Sequence, residues 1–149
     1  MRPRIRAWLR REEGAALLEM ALTLPLLLVV SVSIFEFGRA YQTWQVLTNA
    51  AREGARIAVL PNVDDAAVLD RVKTYISAGQ LPPIADNQIS INRSTTVSIG
   101  AGLTAPASLV AIQYPFTFIV MQPVAQLLAN NSTVGAALTL RASATMRNE

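Results

Sequence analysis

Neither histidine nor cysteine occurs anywhere in the 149 residues. Together these two absences remove the usual zinc sites, the cysteine and serine–histidine nucleophiles, any disulfide framework and any thiolate cluster. Charge is scarce too: charged residues make up 15%, against roughly 25% in an ordinary soluble domain. Only ten acids are left for carboxylate chemistry, and none stands at a known catalytic spacing. Asp64, Asp65 and Asp70 read as helix-start and solvent-face residues. The chain is therefore expected not to be an enzyme, and to bind no cofactor, metal or small-molecule substrate. What it has in excess is apolar surface, at 52% of residues and a mean hydropathy of +0.34.

The net charge of +3 sits in one place. Arg2, Arg4, Arg6, Arg10 and Arg11 against Glu12 and Glu13 give +3 within residues 1–14, and the remaining eight cations and eight acids cancel. A nucleic-acid partner is not expected, since its binders spread basic residues over a folded face with aromatics among them. Here the arginines directly precede an apolar run, which is a positive-inside signal. The run Ala15–Phe35 holds 21 residues and a single charge, Glu19. As a helix it measures about 31 Å, the thickness of a bilayer's hydrocarbon core. It is too long for the apolar region of a secretory signal peptide and too apolar all round for the core helix of so small a domain. A membrane-spanning anchor fits, with the N-terminus cytoplasmic and the remainder outside.

Two residues mark this anchor. Glu19 lies about one turn inside it, where a charge costs roughly 2.5–3.5 kcal/mol at the membrane centre and less towards the helix end. Pro25 removes one helical hydrogen bond, so a kink is expected there. The order of basic leader, Gly14, then Ala15-Ala16-Leu17-Leu18-Glu19 and an apolar helix resembles the type IV prepilin signal. That resemblance implies cleavage after Gly14 by a membrane aspartic peptidase and a glutamate at the fifth position of the mature chain. Cleavage frees the Ala15 amine, which is largely cationic near neutrality with a pKa of about 7.7–8.0. Glu19 stands about 6 Å of helix rise away, so its carboxylate gains a partner in its own amine or that of a neighbouring subunit.

The helical period continues past the membrane. Tyr41, Trp44, Leu47, Ala51, Ala55 and Ala58 recur at spacings of three and four among polar residues, and Pro61 ends the helix near Leu60. Tyr41 and Trp44 suit either the outer membrane interface or packing on a globular domain. Glu36 and Arg39 read as a surface pair three residues apart. A second helix starts at Asn62-Val63-Asp64-Asp65, turns Val68, Leu69, Val72, Tyr75 and Ile76 to one face, and stops at Gly79. The period then changes to two. Ile89 and Ile91 form a short strand, and Val97 and Ile99 belong either to it or to a following turn around Gly100 and Gly102; Val110 to Val120 form the clearest strand, with Pro115 suggesting an edge or a bend; Leu138 to Met146 form the last. Pro123–Leu128 reads as one or two helical turns. A long helix, a short helix and at least three strands make an α+β fold with an antiparallel sheet, its apolar face covered by the amphipathic half of the long helix.

This order is similar to the pilin architecture. Three stretches resemble the TadE-type pseudopilins of the tight-adherence pilus system: Gly14 to Glu19 with Pro25, Ala50-Ala51-Arg52-Glu53-Gly54-Ala55-Arg56, and Leu140 to Arg147. Tyr114-Pro115-Phe116 resembles a pattern in their central strand. Ala15 departs from the phenylalanine that follows the glycine in major type IVa pilins. The resemblance implies a basic leader over 1–14, a transmembrane helix over 15–37, its amphipathic continuation over 38–60, and a periplasmic or extracellular α+β domain over 61–149. It implies an inner-membrane protein that helps build an adhesive pilus or secretion pseudopilus. Its partners would be a prepilin peptidase, other pilins and pseudopilins, the pilus assembly platform and membrane lipid. The alternative is an uncleaved single-pass anchor that presents an envelope interaction domain and never enters a filament.

Overall fold

The computed structural model of the protein describes residues 12–128 and 133–148, so the five leader arginines fall outside the described residues. The first element is one unbroken helix, α1 (Glu12–Ala58), of 47 residues and about 70 Å. Its first half is apolar and exposed on every side; its second half carries the core. α1 stops at Ala58, two residues earlier than Pro61 alone suggests, because Leu60 N–H turns back to the Ile57 carbonyl at 3.1 Å.

α2 (Asp65–Ala78) begins under the cap of Asp64, whose carboxylate accepts from Ala67 N–H at 2.9 Å. It buries Val68, Val72 and Ile76, as its spacing predicts, and ends at Gly79. Gly79 is needed for closeness: a Cβ there would lie 2.5 Å from a Val46 methyl of α1. After a 3-10 turn at Asp86–Gln88 come β1 (Ile89–Gly100) and β2 (Leu103–Phe116), then α3 (Met121–Leu128) and β3 (Leu138–Arg147). The sheet is antiparallel in the order β1-β2-β3. The expected α+β class is what the chain adopts, with three strands in its sheet.

The first strand takes the longer of its two expected extents, and the second differs from its expected bounds. β1 runs on through Val97 and Ile99 to a two-residue turn, Ala101-Gly102, where both residues have positive φ. β2 starts at Leu103, well before Val110, because its buried residues change phase: Ala105 and Ala107 are buried, then Ser108, Val110, Ile112, Tyr114 and Phe116. The phase change lies opposite a register shift in β1 at Arg93-Ser94. β2 is also the central strand, yet holds two prolines. Pro115 lies past Ile112, the last residue paired with β1, so only β3 flanks it. Pro106 sits beyond the last β3 pair, where its carbonyl accepts from Asn148 N–H.

α1 packs on α2, β2 and β3. Its core line runs Thr43, Leu47, Ala50, Ala51, Gly54, Ala55 and Ala58, and it extends down to Glu36. The sheet supplies Ile89, Val110, Ile112, Tyr114 and Ala142. The expected cover of the apolar sheet face by the outer half of the long helix is thus observed. Its lower edge differs, since Tyr41 is 61% exposed and the buried line passes through Thr43 instead.

Candidate functional site

The residues expected to govern processing lie in the first turns of α1. Gly14, Ala15 and Glu19 are all exposed, and a Cβ on Gly14 would meet nothing within 4 Å. Ala15 and Glu19 share a helix face, one turn apart. The polar groups deeper in the apolar half are satisfied by their own helix: Thr23 donates to the Met20 carbonyl, Ser31 to Leu27 and Ser33 to Val29. Such back-bonding hides a hydroxyl from an apolar medium. Glu19 differs, because no hydrogen bond or ion pair reaches its carboxylate from the described residues. Helical structure continues through Pro25, whose nitrogen has no hydrogen to donate to the preceding turn.

A second group of residues gathers where the apolar half ends. Glu36 is 0% exposed, and its Oε1 accepts from the backbone N–H groups of Ile119 at 2.7 Å and Val120 at 2.6 Å. Its Oε2 accepts from Arg39 at 3.0 Å, and the same Arg39 nitrogen donates to the Thr117 carbonyl. The Arg39 guanidinium lies 4.4 Å above the Phe116 ring, which meets Phe118 edge-on. The expected pairing of Glu36 with Arg39 forms, but as a buried joint rather than a surface pair. It holds residues 117–120 against α1, and so the strand run expected up to Val120 ends at Phe116. Trp44 touches the domain as well, donating from its indole to the Arg141 carbonyl at 3.3 Å, while Tyr41 lies tilted beside it and accepts from Gln45 of the same helix.

The third group explains the motif Ala50 to Arg56. Ala50, Ala51, Gly54 and Ala55 are buried where α1 crosses both α2 and β2. A Cβ on Gly54 would come 2.5 Å from a Val72 methyl and 3.2 Å from a Val110 methyl. Small residues at this spacing are thus a condition of the crossing. Glu53 points away and binds Arg56 at 2.6 Å and Arg71 of α2 at 2.7 Å. The hydrogen bonds from Arg56 and then Arg71 hold its carboxyl down to about 2. At the top of the domain, Arg93 donates to the last α1 carbonyl, Ala58, and to Asp65, both at 2.8 Å. Arg93 thereby closes the C-terminus of one helix and serves the N-terminal turn of the next.

Sequence reasoning missed Glu36 and Arg93 as joints. Their signal was faint: a charge on the buried stripe of α1, and an arginine at the break in the β1 alternation.

No curated protein and no solved structure matches the chain. Residues 14–56 match the model of a family described as TadE-like protein. The matched span opens at Gly14, runs through the apolar half of α1 and closes on Arg56, taking in two of the quoted motifs. From Gly14 to Arg56 the chain is similar to that family, over the span that holds those two motifs.

Proposed function

We infer that this protein is a minor pseudopilin of a Tad-type adhesive pilus or related secretion pseudopilus, processed by a prepilin peptidase after Gly14. The observation that carries the reading is the start of the family match at Gly14, the residue directly before the apolar run Ala15–Phe35. A TadE-like segment that opens there starts one residue before the mature chain that cleavage after Gly14 would leave, which supports a boundary at this glycine. The exposed, open surroundings of Gly14 agree with access by a peptidase. Residues 15–37 span the inner membrane with the leader cytoplasmic, 38–60 continue the helix outward, and 61–149 form the periplasmic or extracellular domain.

Glu19 carries the assembly role. Without a partner among the described residues, its carboxylate takes the Ala15 amine of a neighbouring subunit once cleavage has released it. Other pilins and the assembly platform are therefore its protein partners. Pro25 bends the helix to let adjacent anchors pack.

N-terminal sequencing of the membrane-purified protein tests processing. The chain is expected to begin at Ala15, and a chain beginning at Met1 favours the uncleaved anchor instead. Gly14→Val places a branched side chain beside the scissile bond and should leave the protein uncut but membrane-bound; an Ala15 start from that variant overturns the reading. With Glu19→Gln, cutting continues while cross-linking to other pilins falls. Equal partner yield from both proteins removes the pairing role.

A further inference from the structure

β2 descends along α1 towards the apolar half. Phe116 lies under Arg39, Phe118 meets Phe37 edge-on at 6.2 Å, and the amides of Ile119 and Val120 reach Glu36. From Phe116 through Phe118 to Ile119, the α1 partner moves from Arg39 through Phe37 to Glu36, towards the N-terminus. The loop tip therefore arrives beside Glu36, the residue that follows the apolar stretch ending at Phe35. Ile119 is 62% exposed there, with Val120 beside it, and Phe35 and Phe37 of α1 are exposed at the same level. The apolar surface of the helix thus passes onto the domain.

Three backbone groups of this loop are held by side chains of α1. Both amides that flank the exposed side chains bind Glu36, and the Thr117 carbonyl binds Arg39. Backbone that touches lipid must have its polar groups satisfied within the protein.

We propose that residues 117–120 form a lipid-contacting lip, with Ile119 and Val120 resting in the outer-leaflet interface beside the anchor. This rests on the reading of residues 15–37 as membrane-spanning. The lip is a second point of contact between the domain and the membrane, and it sets how the domain stands on the bilayer. Continuity with the apolar surface of α1 favours lipid over a second protein as its occupant.

The chain has no cysteine, so single nitroxide labels report depth cleanly. The full-length protein, reconstituted in phosphatidylethanolamine–phosphatidylglycerol vesicles, is labelled at Ile119→Cys, Leu26→Cys and Ala66→Cys. Collision with oxygen, which favours lipid, is compared with collision with a water-soluble nickel chelate. The oxygen-to-nickel ratio at Ile119→Cys should exceed that at Ala66→Cys, in the first turn of α2, severalfold, and Leu26→Cys should be deeper still. A label at Ile119 as wet as that at Ala66, with Leu26 deep, overturns the lip and leaves the anchor standing. A wet Leu26 overturns both. Poor collision of the Ile119 label with either reagent means that protein covers it, which also overturns the lip. Val120→Cys repeats the readout if Ile119→Cys does not fold.

Discussion

Glu36→Gln changes little in shape at the joint between α1 and the 117–120 loop. The amide oxygen still accepts from Ile119 and Val120, but the new NH₂ group faces Arg39, itself a donor. Three charge-assisted bonds become two neutral ones. A hydrogen bond to a charged group contributes about 1.5–3 kcal/mol against about 0.5–1.5 for a neutral one. Arg39 keeps the Thr117 carbonyl and the Phe116 ring, so it is not stranded. The neutral amide is also spared the cost of burying a carboxylate, which reduces the expected loss to about 2–3 kcal/mol, confined to the loop, or roughly 30- to 150-fold in its opening equilibrium. Glu36→Ala removes every acceptor and should cost about 3–5 kcal/mol. Amide hydrogen exchange in detergent micelles reads this residue by residue. The Ile119 and Val120 amides should accelerate by the stated factor, while Val110 and Ile112 in the middle of β2 hold their rates. Unchanged exchange at 119 and 120 would show that Glu36 does not restrain the loop. Equal acceleration at Val110 would show a global effect instead of a joint.

Glu53 titrates at about 2 when folded against 4.5 ordinarily, so its contribution is complete above about pH 4.5 and is lost as pH falls towards 2. Discounted for its half-exposed arginine partners, Glu53→Gln should cost about 1–2 kcal/mol at pH 7, and urea midpoints of the two proteins should converge between pH 4.5 and 2. Gly54→Ala gains up to about 1 kcal/mol of helix propensity but drives a methyl to 2.5 Å from Val72, a stiff branched neighbour that is fully buried. Overpacking of this kind costs about 1–3 kcal/mol, so a net loss is expected in the melting temperature, and a rise would refute the crossing geometry. Ala101 holds a φ of 50° in the β1–β2 turn, a conformation that costs an L-residue roughly 1 kcal/mol. Ala101→Asn should therefore stabilise the hairpin by about 0.5 kcal/mol, read as a higher urea midpoint.

The helices were legible because their signals are local. Asp64 caps, Gly79 stops, and Val68, Val72 and Ile76 return every three or four residues to the same side. β3 was legible for the same reason, its alternation from Leu138 to Met146 being unbroken. β2 was half legible. Its tail from Val110 alternates strictly, but the change of phase between Ala107 and Ser108 hides the rest. At the other end, Phe118 and Val120 keep the strand pattern, although α1 takes the loop's hydrogen bonds. The buried stripe of α1 shows the limit of apolar counting. Its lower half is Glu36 and Thr43, and Thr43 is tolerated because its hydroxyl donates to the Arg39 carbonyl. A search for apolar residues steps sideways to Tyr41 and Trp44. Long-range partners such as Thr117 or Ala58 leave no periodic trace at Arg39 or Arg93. Gly14, Ala15 and Glu19 are visible only as sequence, since no other element among the described residues gathers around them.

Glu36 and Arg93 bolt the domain to its helix at two heights, Glu36 at the base and Arg93 at Ala58, 22 residues apart along α1. That distance is about 33 Å of unbroken helix. Domain and helix therefore act as one lever with its fulcrum at the base, and the domain has no hinge by which to lag behind. A change of about 20° in helix tilt, an ordinary value for a membrane segment, sweeps the upper bolt sideways by about 11 Å. Whatever tilts the lower half of α1 is thus magnified at the far end of the domain.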